Sequence, residues 1–303
     1  MEEAQFSRTA LMATYVRGYH AMYDNPKIFN DFLAYRLLRD EVRAVIEQYL
    51  AWFLQNIDPT RAASCPDRAT TLAWSMRVMG STVLSRARYT EDSLEKAVRQ
   101  GVKQYVILGA GMDTFAFRHP EMVELLQVFE VDHPGTQELK RHRLTELGWE
   151  HPTNLHFVPV DFTQESLAAI LTRSLYDPQT LSFFSWLGVT CYLTPDEVFA
   201  TLRTIADISP TGSTVIFDYM DTDAFIPDRA AKRVKLIQET TRGIGEPMKT
   251  GFDPSTLAAD LARLGLHLHE DLSPSDIEER YFKERTDGYH AYDHAHFAWA
   301  VAA

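Results

Sequence analysis

The chain has 303 residues and a formal net charge of −12, so it carries no basic excess for nucleic acid or anionic lipid. Hydrophobic residues at 45% and charged residues at 24% fit a globular protein with room for one large domain and a cap. Two cysteines, Cys65 and Cys191, are too few for a secreted disulfide scaffold. With no signal peptide and no apolar run of membrane-spanning length, a cytoplasmic setting is expected.

Residues 1 to about 100 read as helix. Apolar residues recur every three to four positions through Phe32, Leu33, Leu37, Leu38, Val42, Val45, Ile46 and Tyr49. "NIDPTRAASCPDRAT" (56–70) breaks that pattern with two prolines, and helices are predicted near 71–85 and 91–100. The pattern then changes. "KQYVILG" (103–109) is a short β-branched run ending in glycine, and "LQVFEVD" (126–132), "LHFVPVD" (155–161), "LSFFSWLG" (181–188) and "STVIFDYM" (213–220) repeat its form. Helix-length segments separate these runs, which predicts a parallel sheet covered on both faces. "GLHLHEDL" (265–272) and "AHFAWAVA" (295–302) supply a last strand pair. Residues 1–85 are therefore expected to be a helical cap that does not fold alone, and residues 86–303 the core. An insertion at about 221–251 is either a solvated helix or a cover for the site.

In an open parallel sheet, ligands bind beyond the carboxyl ends of the strands, where strand order reverses. Gly109 and Gly111 stand at such an end, with Ala110 between them. Counting G-x-G-x-x-G from Gly109 puts Thr114 at the third glycine, and Asp113 lies where a pyrophosphate would approach the helix. The turn thus suits a nucleoside carrying an amino acid better than a nicotinamide dinucleotide. Asp132, ending the second strand, is placed to accept hydrogen bonds from ribose hydroxyls. Asp161, ending the third, is placed to meet an exocyclic amine, and Phe162 to pack on the base.

Several of these stretches together carry a resemblance. "YVILGAGMDTFAFR", "VFEVDHPGTQELKR", "FVPVDF" and "WLGVTCYLTPDEV", with "TALMATYVRGYHAMYDNPKIFNDFLAYRLL" near the start and "RYFKERTDGYHAYDHAHFAWA" near the end, resemble the leucine carboxyl methyltransferase-like family. The likeness spans nearly the whole chain, its motifs are specific together, and the family includes bacterial O-methyltransferases of polyketide pathways, the branch that this chain resembles. It implies a class I methyltransferase, Rossmann-like, mostly parallel seven-stranded sheet with an N-terminal helical cap. It implies S-adenosylmethionine as cofactor and O-methylation of a carboxylate or phenolic hydroxyl on a small molecule in secondary metabolism.

By that resemblance, Gly109, Ala110 and Gly111 approach the methionine portion, Asp132 with His133 holds the ribose, and Asp161 with Phe162 contacts adenine. An arginine of "SRARYTED" pairs with the cofactor's carboxylate; Arg86 matches the motif best, followed by Arg88. The phosphatase carboxyl methyltransferases have a glutamate where this chain has Leu187, followed by Gly188. Backbone carbonyls around Leu187 would then hold the cofactor's amino group. The change argues against a protein C-terminal carboxylate as substrate and favours the small-molecule branch.

For the acceptor, Tyr15, Tyr19 and His20 lie in the cap, Tyr192 follows the fourth strand, and His290 belongs to a histidine cluster with His294 and His296. Tyr15 and Tyr19 fit a core-covering face as well as a pocket, and Tyr192 fits either sheet packing or the acceptor. The histidine spacing matches no closed zinc site, so no metal is expected. Thr194-Pro195-Asp196-Glu197 has the form of a helix capping box. No residue is singled out as a general base. A non-catalytic S-adenosylmethionine sensor on the same fold is the alternative, distinguished by turnover.

Overall fold

The computed structural model describes residues 7–161 and 165–303. The helical third comprises α1 (Arg8–Tyr23), α2 (Ala34–Leu37), α3 (Asp40–Ile57), α4 (Pro59–Ser64), α5 (Arg68–Met79) and α6 (Ser81–Arg99). A helix was predicted over 71–85, but the chain breaks at Gly80. A Cβ there would lie 2.7 Å from the Met76 carbonyl oxygen and 3.1 Å from Val16 Cγ1 of α1, so only glycine lets the two helices approach. Beyond the break, α6 runs unbroken through 86–90 and joins the segments expected near 71–85 and 91–100.

Seven strands follow: β1 (Gln104–Leu108), β2 (Gln127–Asp132), β3 (Leu155–Pro159), β4 (Ser182–Trp186), β5 (Thr214–Met220), β6 (Leu266–Leu272) and β7 (Ala295–Ala302). Around them lie α7 (Phe115–Arg118), α8 (Pro120–Val123), α9 (Pro134–Glu146), α10 (Leu167–Arg173), α11 (Pro195–Ile208), α12 (Lys232–Gly243), α13 (Pro254–Ala262) and α14 (Pro274–Tyr281). The sheet order is β3-β2-β1-β4-β5-β7-β6. β7 alone points against the other six described strands, and strand order reverses between β1 and β4. This is the class I methyltransferase, Rossmann-like sheet that the resemblance implied.

The central strands β1, β4 and β5 are buried at every residue, which is why they read as continuous apolar runs, while the edge strands β3 and β6 are partly exposed. Tyr105 and Ile107 turn to one core with Phe183 and Ile216, joined by Tyr15, Leu84 and Tyr89 of the N-terminal helices. Val106 and Leu108 turn to the other with Phe129, Phe184 and Val215, joined by Leu202 and Ile205 of α11. Among the described residues, no helix is long and apolar enough to cross a membrane.

A buried charge ladder fixes the cap to the sheet. Asp31 is fully buried. Its carboxylate accepts hydrogen bonds from Arg17 Nε (2.9 Å), Thr114 Oγ1 (2.6 Å) and the Ala34 amide (3.0 Å), with Arg118 Nε at 3.4 Å. Arg118 in turn pairs with Glu91 of α6, and Arg17 Nη2 donates to the Met112 carbonyl at 2.8 Å. Burial pushes the Asp31 carboxyl up, but Arg17 and Arg118 outweigh it and hold it below the usual carboxylate range. Ionised Asp31 therefore stabilises the fold above about pH 4, the unfolded value, and that contribution is lost as pH falls through the lowered folded value. Asp31→Asn should cost about 3–5 kcal/mol at pH 7, because it strands buried guanidinium groups. Its urea midpoint should also fall less steeply below pH 4 than that of the wild type. Equal midpoints at pH 7 would show that the ladder is not what holds the cap.

Candidate active site

A cavity of about 1650 Å³ opens beyond the carboxyl ends of β1, β2, β4 and β5. Three glycines shape its wall: Gly109 at φ 70°, Gly111 at φ 54° and Gly188 at φ 69°. These are left-handed conformations that side chains disfavour. A Cβ at Gly109 would run into Val189, one at Gly188 into the Arg86 guanidinium, and one at Gly111 would lie 3.1 Å from Ala10 of α1. Glycine at these positions thus lets Val189, Arg86 and α1 pack directly against the turn backbone, which leaves bare main chain on this part of the wall.

Asp132 stands beside the turn. Its carboxylate accepts from the Gly111 amide and, at 2.6 Å, from the His133 amide. Burial pushes the Asp132 carboxyl up, while those two amides pull it down. The His133 ring caps α9, its Nδ1 accepting from the Gly135 amide at 3.2 Å. Asp113 Oδ1 accepts from the Phe115 amide at the start of α7 (2.7 Å). Arg86 lies opposite the turn, on α6. Its Nη1 donates to Asp218 Oδ2 of β5 at 2.7 Å, and Asp218 Oδ1 accepts from the Gly188 amide at 2.6 Å.

Arg86, Gly109, Ala110, Gly111, Asp132, His133, Asp161, Leu187, Gly188 and Tyr192 therefore all line one cavity. Phe162 lies outside the described residues. Five other expected site residues lie away from it. Arg88 sits two residues beyond Arg86, on another face of α6, where its Nε donates to Asp92 at 2.7 Å. Tyr15 is fully buried between helices with its hydroxyl on Glu47 (3.1 Å), and Tyr19 stacks against it. Both ring nitrogens of His20 are engaged: Nδ1 with Asp24 at 2.7 Å, and Nε2 as acceptor of the Ile28 amide at 2.7 Å. His290 is exposed and pairs with Glu278 at 3.0 Å. Thr194 and Glu197 form the expected capping box at the start of α11.

Sequence reasoning missed several wall residues. Arg17, Glu91 and Arg118 belong to the ladder, and Asp218 pairs with Arg86. Glu246, beyond α12, accepts from the Arg8 amide (2.7 Å), the Thr9 amide (3.3 Å) and Thr9 Oγ1 (2.5 Å). It thereby satisfies the free amides at the start of α1 and holds that helix across the cleft. A carboxylate inside the apolar strand "VIFDYM" was the available signal for Asp218, since a buried charge requires a partner.

The cavity also has an apolar group of lining residues, next to Glu41, Thr82, Thr240 and Thr241 of the same helices. Val42, Val45 and Ile46 of α3, Val83 of α6, and Val234 and Ile237 of α12 make up this group, with Tyr49, Tyr192 and Tyr292. Residues 221–251 thus supply a wall of the site through α12 and Glu246.

The sequence pattern named "leucine carboxyl methyltransferase" matches residues 10–206. YktD of Bacillus subtilis, which carries the name of an S-adenosyl-L-methionine-dependent methyltransferase, is 38% identical over 307 residues, 99% of each chain. Rv3787c of Mycobacterium tuberculosis, named in the same way, is 32% identical over 204 residues, 67% of this chain and 63% of its own. A crystal structure from Thermobifida fusca, described as a methyltransferase, superposes with a TM-score of 0.61 at 12% identity, covering 99% of this chain and 96% of that one.

Asp132→Ala should weaken S-adenosylhomocysteine binding by about 1.5–3 kcal/mol in calorimetry, the worth of charge-assisted hydrogen bonds. Arg88→Ala should leave it unchanged. A folded Asp132→Ala protein with wild-type affinity, or an Arg88→Ala protein without it, would contradict this reading of the wall.

Proposed function

The chain belongs to the leucine carboxyl methyltransferase family and is an S-adenosylmethionine-dependent methyltransferase, and from that premise we propose that it methylates an ionised oxygen, a carboxylate first, on a small and largely apolar molecule. The apolar compartment beside the glycine cradle, roofed by α1 and Glu246, carries this reading. A cleft covered in this way suits a small molecule better than the end of a protein chain.

Bound S-adenosylmethionine supplies an electrophilic methyl group on a sulfonium. Gly109, Gly111, Asp132 and Asp161 would hold its nucleoside and methionine portions, with Arg86 on the carboxylate. What the protein adds is alignment and a poorly hydrated setting, in which an anionic oxygen is a stronger nucleophile.

The titratable groups along the compartment favour an acceptor that arrives ionised. Burial pushes the phenols of Tyr49, Tyr192 and Tyr292 up, and the Cys191 thiol up to about 12. Glu91 and Asp218 are committed to arginines. None of the three phenols, the thiol or Glu91, which burial pushes up but His119 and Arg118 hold below the usual carboxylate range, is poised to take a proton near neutrality. A carboxylic acid needs no base there, whereas a phenol, with a pKa near 10, does. The resemblance to the polyketide branch makes aromatic polyketide acids the first acceptors to try and secondary metabolism the expected setting.

In an assay of such acids beside the matching phenols, methyl esters should be the product. Their rate should be flat with pH once the acid is ionised. Methyl ethers alone, with a rate rising towards pH 10, would overturn the carboxylate reading. Cofactor binding without turnover of any acceptor would favour a sensor instead. Ile237→Trp, which fills the apolar compartment from α12, should lower turnover at least about tenfold while S-adenosylhomocysteine affinity stays within about twofold. Undiminished turnover would place the acceptor elsewhere.

A further inference from the structure

Arg86 and Asp218 form an ion pair on the cavity wall, and S-adenosylmethionine carries a complementary pair of its own, an α-ammonium and an α-carboxylate on one carbon. We propose that Asp218 receives the cofactor's ammonium group, acting as one unit with Arg86, which receives its carboxylate.

The register places Asp218 for this role. β4 and β5 run parallel with Trp186 beside Phe217, so the next residues along the two strands are Leu187 and Asp218. Leu187 offers no side-chain acceptor at the end of β4; the neighbouring strand offers a carboxylate at the same level. Phe217 and Tyr219 on either side of it are buried, so an ionised group here is costly unless it is paired. The Gly188 amide and Arg86 Nη1 provide that pairing, each to a different oxygen.

Capacity remains on both partners. A carboxylate offers about four lone-pair sites, and a guanidinium five N–H donors, in fixed directions. The bonds within the pair use one site on Asp218 Oδ2 and one donor of Arg86. The left-handed turn at Gly188 brings backbone, without a side chain, against the guanidinium. Of the other carboxylates on this wall, Glu91 holds Arg118, Asp113 accepts from the Phe115 amide, Asp132 sits at the end of the second strand, and Glu246 accepts from the amides at the start of α1. Among these, Asp218 is the one joined to Arg86.

The test is calorimetry on the wild type and Asp218→Asn with three probes. These are S-adenosylhomocysteine, the same molecule lacking its α-amino group, and 5′-methylthioadenosine, which lacks the whole amino-acid part. Asp218→Asn should lower S-adenosylhomocysteine affinity by about tenfold or more, the scale of a lost charged hydrogen bond. Affinity for 5′-methylthioadenosine should stay within about twofold, which also reports that the variant is folded. The deamino probe should bind both proteins alike. If the deamino probe loses as much as S-adenosylhomocysteine, Asp218 acts only through Arg86 or the fold, and the proposal is overturned. Unchanged S-adenosylhomocysteine affinity overturns it too. Should Asp218→Asn fail to fold, the wild type still decides against the proposal if the deamino probe binds it as tightly as S-adenosylhomocysteine.

Discussion

Asp31 keeps an ionised carboxylate out of water between Arg17 of α1 and Arg118 just past the glycine turn, and the placement of the cap depends on that arrangement. A buried ion pair adds little stability compared with apolar packing, but removing one member leaves a stranded charge. The ladder therefore acts as a constraint on position. It sets α1 against the turn closely enough that Ala10 lies 3.1 Å from where a Gly111 side chain would begin. The helices over this face of the sheet share its core through Tyr15, Leu84 and Tyr89, so packing and charge fix them in the same place.

The two ends of α1 are held with unequal strength. Arg17, in its second half, is locked into the buried ladder. The start of the helix is held at the rim by Glu246, where hydrogen bonds compete with water and contribute less. Between these ends runs the face that covers the cavity, through Thr9, Ala10, Ala13, Val16 and Arg17. The cavity behind it carries Arg86, Asp132 and Asp218 on its polar wall, and valine, isoleucine and tyrosine side chains where the acceptor is proposed to lie. Residues of this one helix line the cavity from its first turn to Arg17.

Much of the fold was legible because its signals are local. Apolar runs ending in glycine or aspartate marked the parallel strands, and strand-end rules placed Gly109, Gly111, Asp132 and Asp161 on one wall. The Thr194–Glu197 cap was readable from four consecutive residues. What failed was helix phase. Cavity-facing residues of α6 are Thr82 and Val83, then Arg86 and Ala87, then Thr90 and Glu91, at steps of three to four. Arg88 falls between them on another face, paired with Asp92, and the sequence did not show which face of the helix turns to the cavity. Tyr15 and Tyr19 likewise fall off the stripe of α1 that carries Ala13, Val16 and Arg17. His20 is close to that stripe in phase, but its ring is used up by Asp24 and the Ile28 amide. Asp218 and Glu246 were hidden for a different reason: their partners lie far away in sequence, on α6 and α1, and only the tertiary fold brings them together.

A crystal structure of the complex with S-adenosylhomocysteine tests the central claim most directly. The account predicts the ligand along the ends of β1, β2 and β4, with its ribose on Asp132, its amino-acid end at Arg86 and its sulfur facing the apolar compartment between α3 and α12. A ligand bound outside the Gly109–Gly111 turn, or one whose sulfur faces open solvent with α1 displaced from the cleft, would contradict it.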